Sequence, residues 1–223
     1  YAQKDRALAH QTLDGVLRRE PKNEDALLLN TRFLLVEGKL DEALKMAEAA
    51  TAANPQSAVG FYLTGVIQRA RRRPADAIAA FNEVIKLNPR AAAAQLQLSE
   101  LNLAAGKAEV GLQLAEDAAR TAPGVPAVQL NLARNLIARN QLARAEPIVK
   151  QLIYKDPQDS GNYFALVKIY EDAGKIDDAE EIIKQAQAAA PDKVEVWSQS
   201  AQFYNRKGEF DRAMEAFGRM TQI

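Results

Sequence analysis

Apolar residues recur along the chain at spacings of three, four and seven, the period of one face of an α-helix. Leu27 and Leu34, then Phe61, Leu98, Leu132 and Leu136, Tyr163, Leu166 and Tyr170, and Trp197 and Tyr204 mark a series of first helices. Phe81, Val149, Ile183 and Phe217 fall on second helices that alternate with them. Proline sets the period: Pro21, Pro55, Pro89, Pro123, Pro157 and Pro191 follow one another every 34 residues. A residue before proline is pushed out of the helical region, so helices should stop at Glu20, Asn54, Asn88, Ala122, Asp156 and Ala190. Halfway between prolines stand Gly38, Gly106, Gly174 and Gly208, with Arg72 and Asn140 in the equivalent places. Glycine, then asparagine, suits the left-handed residue that ends a helix. Arg72 is the misfit, and predicts either a strained residue or a different turn. The pattern predicts two helices per 34 residues, a helix–turn–helix repeat.

The second helix of each repeat should open at Asp41, Asp177 or Asp211, placed as N-caps. Leu40, Ile176 and Phe210 precede them as hydrophobic staples, and Pro74 fits a helix start where the aspartate is missing. Five residues past the turn come Ala43, Ala77, Gly111, Ala145, Ala179 and Ala213. A small residue there lets the two helices of a repeat approach closely.

The repeats run 24–57, 58–91, 92–125, 126–159, 160–193 and 194–223, as one array over 1–223. Residues 1–23 read as the second half of a preceding repeat, with Ala9 in the close-packing place. The expected closing proline lies beyond residue 223. A segment cut from a longer array is therefore expected, with uncapped ends that invite homo-oligomers.

Composition narrows the chemistry. Alanine makes up 42 of 223 residues, about 19%, which with abundant Leu, Gln, Glu, Lys and Arg favours helix. Lys+Arg and Asp+Glu both number 29, so zero net charge argues against a general polyanion or nucleic-acid binder. There is no cysteine and a single histidine, His10, which argues against thiolate and histidine metal sites and histidine-dependent triads. No apolar run approaches a membrane span, and no phosphate loop, dinucleotide fingerprint or nucleophile–base pairing is present. The sequence predicts no catalytic residue, no metal and no cofactor.

The units Val196 to Phe217 (V-W-S-Q-S-A-Q-F-Y…G-E-F-D-R-A-M-E-A-F) and Phe61 to Pro89 (F-Y-L-T-G-V…A-I-A-A-F-N-E-V-I-K-L-N-P) carry a Trp197, Gly65, Tyr204, Ala77, Phe81 and terminal-proline pattern that resembles the tetratricopeptide repeat family. The likeness covers essentially the whole chain. Gln95 and Gln129 depart from it at the first-helix aromatic, Ala47 and Ala115 at the bulky second-helix place, and Gly111 at the small alanine. The repeat 92–125 is expected to pack most loosely. The resemblance implies an all-α, right-handed superhelical solenoid of antiparallel helix pairs, with first helices lining a concave side. It also implies a protein or peptide partner.

In that arrangement the fifth residues of the repeats face the groove: Leu28, Tyr62, Leu96, Leu130, Phe164 and Ser198. The ninth are Arg32, Val66, Glu100, Arg134, Lys168 and Gln202, and the twelfth Leu35, Arg69, Leu103, Ile137, Glu171 and Asn205. An apolar strip, turning polar toward the C-terminal end, fits an extended peptide or an amphipathic helix. The same places also serve packing between neighbouring helices, and both readings stand. The carboxylate clamp of co-chaperone members is missing, since of Leu28, Arg32, Leu63, Val59 and Ala93 only Arg32 is basic. Arg69, Arg71, Arg72 and Arg73 read as a solvated helix end whose charge complements the dipole, with an acidic partner, phosphate or membrane surface the functional alternative. His10 reads as a surface or end-face histidine.

The alanine-, leucine- and glutamine-rich units resemble in style bacterial arrays of cell-envelope assembly and exopolysaccharide export. The periplasm is thus the leading compartment and the cytoplasm the alternative, with membrane contact only through parts of a full-length protein outside this segment. A spacer or self-associating module without a groove ligand is the rival function.

Overall fold

A computed structural model describes residues 2–223, with side chains described from Leu8 onward. Among the described residues there are thirteen α-helices and no strand. They fall into two compact halves, Tyr1–Ala105 and Gly106–Ile223. The boundary lies inside the repeat 92–125.

The N-terminal half holds α1 (Ala2–Arg19), α2 (Glu24–Val36), α3 (Leu40–Ala53), α4 (Ala58–Ala70), α5 (Pro74–Leu87) and α6 (Ala92–Ala104). Each helix packs on the next, and the first helices α2 and α4 also touch. The C-terminal half holds α7 (Ala108–Thr121), α8 (Pro126–Ala138), α9 (Leu142–Lys155), α10 (Ser160–Asp172), α11 (Ile176–Ala189), α12 (Val194–Lys207) and α13 (Phe210–Met220). Here too successive helices pack together, and the first helices α8, α10 and α12 adjoin one another.

The helix ends follow the proline series. Asn54, Asn88 and Asp156 leave the helix with φ near −140° and ψ of 97°, 94° and 86°. The mid-repeat turns are alike in all cases. Gly38, Gly106, Gly174 and Gly208 have φ of 71–82°, and Arg72 and Asn140 adopt the same region at 58° and 55°. The N–H of Arg73 donates to the Gln68 carbonyl at 2.9 Å, as that of Lys39 does to Leu34 and that of Gln141 to Leu136. Arg72 therefore uses the common turn and carries its strain.

The second-helix starts differ from the expectation by two residues. Lys39, Lys175 and Glu209 occupy the N-cap place without a side-chain capping bond. Asp41, Asp177 and Asp211 lie inside the first turn, where the helix dipole favours their charge. Leu40, Ile176 and Phe210 are the first helical residues, so they do not form the expected staples. Genuine side-chain caps sit on first helices instead: Asn23 Oδ1 accepts from Ala26 N, Ser57 Oγ from Gly60 N and Asp159 Oδ1 from Gly161 N, each at 3.0 Å.

Close packing follows the small-residue series. Ala43, Ala77, Ala145 and Ala179 are fully buried, and Ala213 nearly so. Phe81, Val149 and Ile183 are fully buried, whereas Phe217 is 45% exposed because no described helix covers that face of α13. Ala9 is only half-buried. Gly65 is required by its neighbour: a Cβ there would stand 2.6 Å from the Phe81 ring.

The glutamines at the aromatic place make the same bond as Trp197. The Trp197 indole N–H donates to the carbonyl of Pro191 at 2.7 Å. Gln95 Nε2 donates to Pro89 at 2.8 Å and Gln129 Nε2 to Pro123 at 3.1 Å. Each ties the first helix to the carbonyl of the preceding repeat's proline.

Candidate functional site

In the N-terminal half, Tyr62, Val66, Leu96 and Leu103 are half-buried on the first helices α4 and α6. The Tyr62 ring lies 5.6 Å from that of Phe81, tilted by 58°. Leu35 is half-buried against Leu34, Ala43, Ala47 and Ile67. Leu28 differs from the rest of the series: only 8% exposed, it packs with Leu27, Ala50 and Leu63 and offers little surface. Arg32 is exposed. Arg69 Nη1 pairs with Glu100 at 2.6 Å and also bonds Gln97, so two residues expected to face a ligand satisfy each other across α4 and α6.

In the C-terminal half, Leu130, Ile137 and Phe164 are half-buried, and Ile137 and Phe164 pack against the core. Arg134 is exposed. Lys168 bonds Asp172 one turn on. Between α10 and α12 opens a cleft of about 370 Å³ with Phe164, Val167 and Phe203 for its apolar walls and Lys168, Glu171, Gln199 and Arg206 around them. Arg206 holds Glu171 through both Nε (3.2 Å) and Nη2 (2.9 and 3.0 Å), a bidentate pair across its lip. Gln199, Phe203 and Arg206 were not among the sequence candidates. They are the sixth, tenth and thirteenth residues of their repeat, and the 34-residue register alone would have found them.

The basic cluster is spent on internal contacts. Arg71 pairs with Asp41 at 2.8 Å and bonds Gln68 at 3.3 Å, and Arg73 lies 3.9 Å from Asp76. With Arg69 held by Glu100, three of its four cations have partners within the fold. His10 is no idle surface residue: its Nε2 lies 2.8 Å from Glu37 Oε1, and its ring meets Phe33 edge-on at 5.9 Å. The bond to His10, with that to Lys39, holds the Glu37 carboxyl below the usual range.

Tyr163, Tyr170 and Tyr204 are core residues, as the pattern predicts, while Trp197 is half-buried. Burial pushes the Tyr170 phenol up, and its O–H donates to Glu146 at 3.0 Å. A second network binds α11, α12 and α13. Lys207, Arg212 and Lys184 surround Glu180, with Arg212 at 2.9 Å and Lys184 at 3.2 Å, and Arg212 stacks 4.0 Å over the Tyr204 ring. The hydrogen bond from Lys207, reinforced by Arg212 and Lys184, outweighs burial and lowers Glu180 to about 2.

Models of the tetratricopeptide repeat match residues 1–63, 102–169 and 170–223, and a second model of the same repeat matches 62–126. The chain belongs to the tetratricopeptide repeat family. No curated protein matches the sequence. Among solved structures, it resembles a tetratricopeptide repeat protein from Parabacteroides merdae, at 18% identity and a TM-score of 0.78, covering 99% of this chain and 88% of that one. It resembles YrrB, described as a TPR protein with an unusual peptide-binding site, at 13% identity and a TM-score of 0.72, over 84% of this chain and 96% of that one. A third likeness is to pilF of Pseudomonas aeruginosa, at 13% identity and a TM-score of 0.70, over 89% and 90%. These identities establish the fold and no more.

Tetratricopeptide repeats are in general non-catalytic scaffolds for protein–protein interaction. Among the described residues, no three His, Asp or Glu side chains come together to hold a metal ion. No helix described is long and apolar enough to cross a membrane. What the first helices of each half present is part-open apolar area edged by charged side chains.

Proposed function

We propose that this tetratricopeptide array is a non-catalytic interaction scaffold that takes a partner peptide or helix on its first-helix faces. The supporting observation is the row of half-buried apolar side chains there, Tyr62, Val66, Leu96 and Leu103 in one half and Leu130, Ile137 and Phe164 in the other. A residue that only packs is buried, as Leu28 is. These are left part-open, and beside Phe164 the 370 Å³ cleft admits an apolar side chain. The likeness to YrrB, a TPR protein with an unusual peptide-binding site, agrees with this reading. Peptides selected by display on the chain, then titrated by fluorescence anisotropy, test it. The Leu96→Glu/Leu130→Glu variant, equally helical by circular dichroism, should lose at least tenfold in affinity, and unchanged binding overturns the proposal. The composition of the repeats supports a place in a bacterial envelope or exopolysaccharide-export assembly. Recovery of the native protein from cytoplasm alone on fractionation would remove that part.

A second reading, a self-associating spacer, is favoured by α13, where Phe210, Met214 and Phe217 are 65%, 69% and 45% exposed at positions i, i+4 and i+7. Sedimentation velocity at rising concentration should then show assembly that Met214→Glu abolishes. A concentration-independent monomer removes this reading.

A further inference from the structure

The second helices of the C-terminal half, α7, α9, α11 and α13, face one another at three junctions. At two of them the nineteenth residue of the later repeat is an arginine that bridges the gap. Arg144 of α9 reaches back to Glu116 of α7 at 2.8 Å. Arg212 of α13 reaches back to Glu180 of α11 at 2.9 Å. It also stacks 4.0 Å over the Tyr204 ring, and its Nη2 donates to the phenol oxygen at 2.8 Å. At the middle junction the same place holds Asp178. A cleft of about 330 Å³ stands open there, between Ile153 of α9 and Ile182 of α11, with Leu166 and Tyr170 of α10 as its floor and Asp178 and Glu181 on its rim. Helices of the same series flank it on both sides, α7 before and α13 after, so a chain end does not create the opening.

The surroundings of the cleft repeat those of Arg212 without its cation. Glu146, Lys150 and Tyr170 stand one repeat before Glu180, Lys184 and Tyr204. Glu180 is paired with Lys184, Lys207 and Arg212. Among the described residues Glu146 is paired with Lys150 alone, at 2.7 Å, and accepts the Tyr170 O–H. Ala173 and Asp178 fill the places of Lys207 and Arg212. Asp178 and Glu181 are exposed and make no ion pair among the described residues.

We propose that this cleft takes an arginine side chain presented by a partner protein. In both bridged copies the group in this place is an arginine carried by a polypeptide. Arg212 shows why: its planar fork meets a carboxylate and a phenol while its face covers the ring. In the open cleft the apolar stem of the incoming side chain lies on Ile153 and Ile182. Asp178 and Glu181, one turn apart on α11, receive the guanidinium. The two lysines nearby leave that role unfilled, since Lys150 and Lys175 stand 5.9 and 5.7 Å from the Tyr170 ring centre and neither pairs with Asp178 or Glu181. Lys184 and Arg212 share Glu180, so a lysine in the Lys150 place is compatible with an arginine beside it. The site lies on the second helices and goes beyond the first-helix faces, on which it does not depend.

The probe is arginine blocked at both ends, N-acetyl-arginine N-methylamide, titrated into the isotope-labelled chain and followed by amide NMR. The amides of Asp178, Glu181 and Ile182 should shift together and saturate, with a Kd on the order of 1–10 mM for one charge-assisted side-chain contact. The citrulline analogue, alike in shape but uncharged, and the lysine analogue should each bind about fivefold or more weakly. Asp178→Arg supplies the bridging arginine from the chain itself and should abolish the shifts. Asp178→Asn/Glu181→Gln, which keeps the size of both side chains, should weaken the probe about fivefold or more. Both positions are exposed, and circular dichroism verifies that the variants keep their helices. Absence of saturable shifts at these amides, equal binding of the citrulline or lysine analogue, or binding that survives Asp178→Arg overturns the proposal. Tighter binding of free arginine than of the blocked form assigns the cleft to a small molecule, and an Asp178-dependent dimer in sedimentation assigns it to a second copy; either overturns the proposal equally.

Discussion

Gly65→Ala turns a close helix approach in the N-terminal half into a measurable quantity. The added Cβ would stand 2.6, 2.7 and 2.8 Å from Cε1, Cζ and Cδ1 of Phe81, distances that real Cβ atoms do not reach. Phe81 is fully buried and its ring is flanked by Tyr62, so it has nowhere to withdraw. Forcing a methyl group into such a contact costs about 1–3 kcal/mol. Alanine returns about 1 kcal/mol of helix propensity in the interior of α4. The net expectation is a loss of up to about 2 kcal/mol. Gly15→Ala in α1 is the control, because its Cβ would meet nothing within 4 Å, and it should stabilise by about 0.5–1 kcal/mol. Repeat arrays unfold in parts, so the assay is native-state hydrogen exchange on α4 and α5, supported by urea titration. Phe81→Leu in the Gly65→Ala background should recover part of the loss, giving a coupling energy that either single change lacks. If Gly65→Ala stabilises as Gly15→Ala does, the close α4–α5 contact is not what holds glycine at this place.

Two further outcomes are expected. Arg72→Gly should stabilise the N-terminal half by about 0.5–1 kcal/mol in thermal unfolding, because φ of 58° strains a side-chain-bearing residue and not glycine; an unchanged or lower midpoint would show that the Arg72 side chain matters more than its backbone. Glu180, at about 2 when folded against an ordinary 4.5, contributes stability that is complete above about pH 5 and drains away as pH falls from 4.5 toward 2. Fluorescence of Trp197, the single tryptophan, should report an acid-induced drop in the urea midpoint of the C-terminal half that Glu180→Gln flattens; an equal drop in the variant would transfer the effect to Glu209 and the other lowered carboxyls.

Much of the fold is legible because proline and left-handed turn residues act locally. Asn54, Asn88 and Asp156 leave the helix for the same steric reason wherever the chain places a proline after them. Even Arg72 and Asn140 obey the register, since the turn's hydrogen bonds outweigh the strain of one residue. The errors arise where a side chain could serve a helix start in more than one way. Aspartate at Asp41, Asp177 and Asp211 fits an N-cap and also fits the first turn, and only the backbone decides between them. The site was less legible. Spacing puts Arg69 and Glu100 on the expected face, yet their pairing depends on the separation of α4 and α6, which no single repeat encodes. Leu28 and Leu96 hold equivalent places, yet one is buried and the other part-open, a difference that the repeat register does not carry.

Three of the six residues at the aromatic place, Trp197, Gln95 and Gln129, make one link in common. Trp197, Gln95 and Gln129 share neither volume nor hydropathy, but each sends an N–H to the carbonyl of the proline six residues earlier. That carbonyl belongs to the turn joining one repeat to the next and cannot take a helical partner, so a donor from the following helix satisfies it. Aromatic burial adds to this link in Trp197, while the smaller glutamines give up area and keep the bond. A repeat can therefore lose its signature aromatic and still fix the angle at which the next pair of helices begins. Under the proposed function, partner choice lies elsewhere, in the fifth, ninth and twelfth places, none of which bonds that carbonyl.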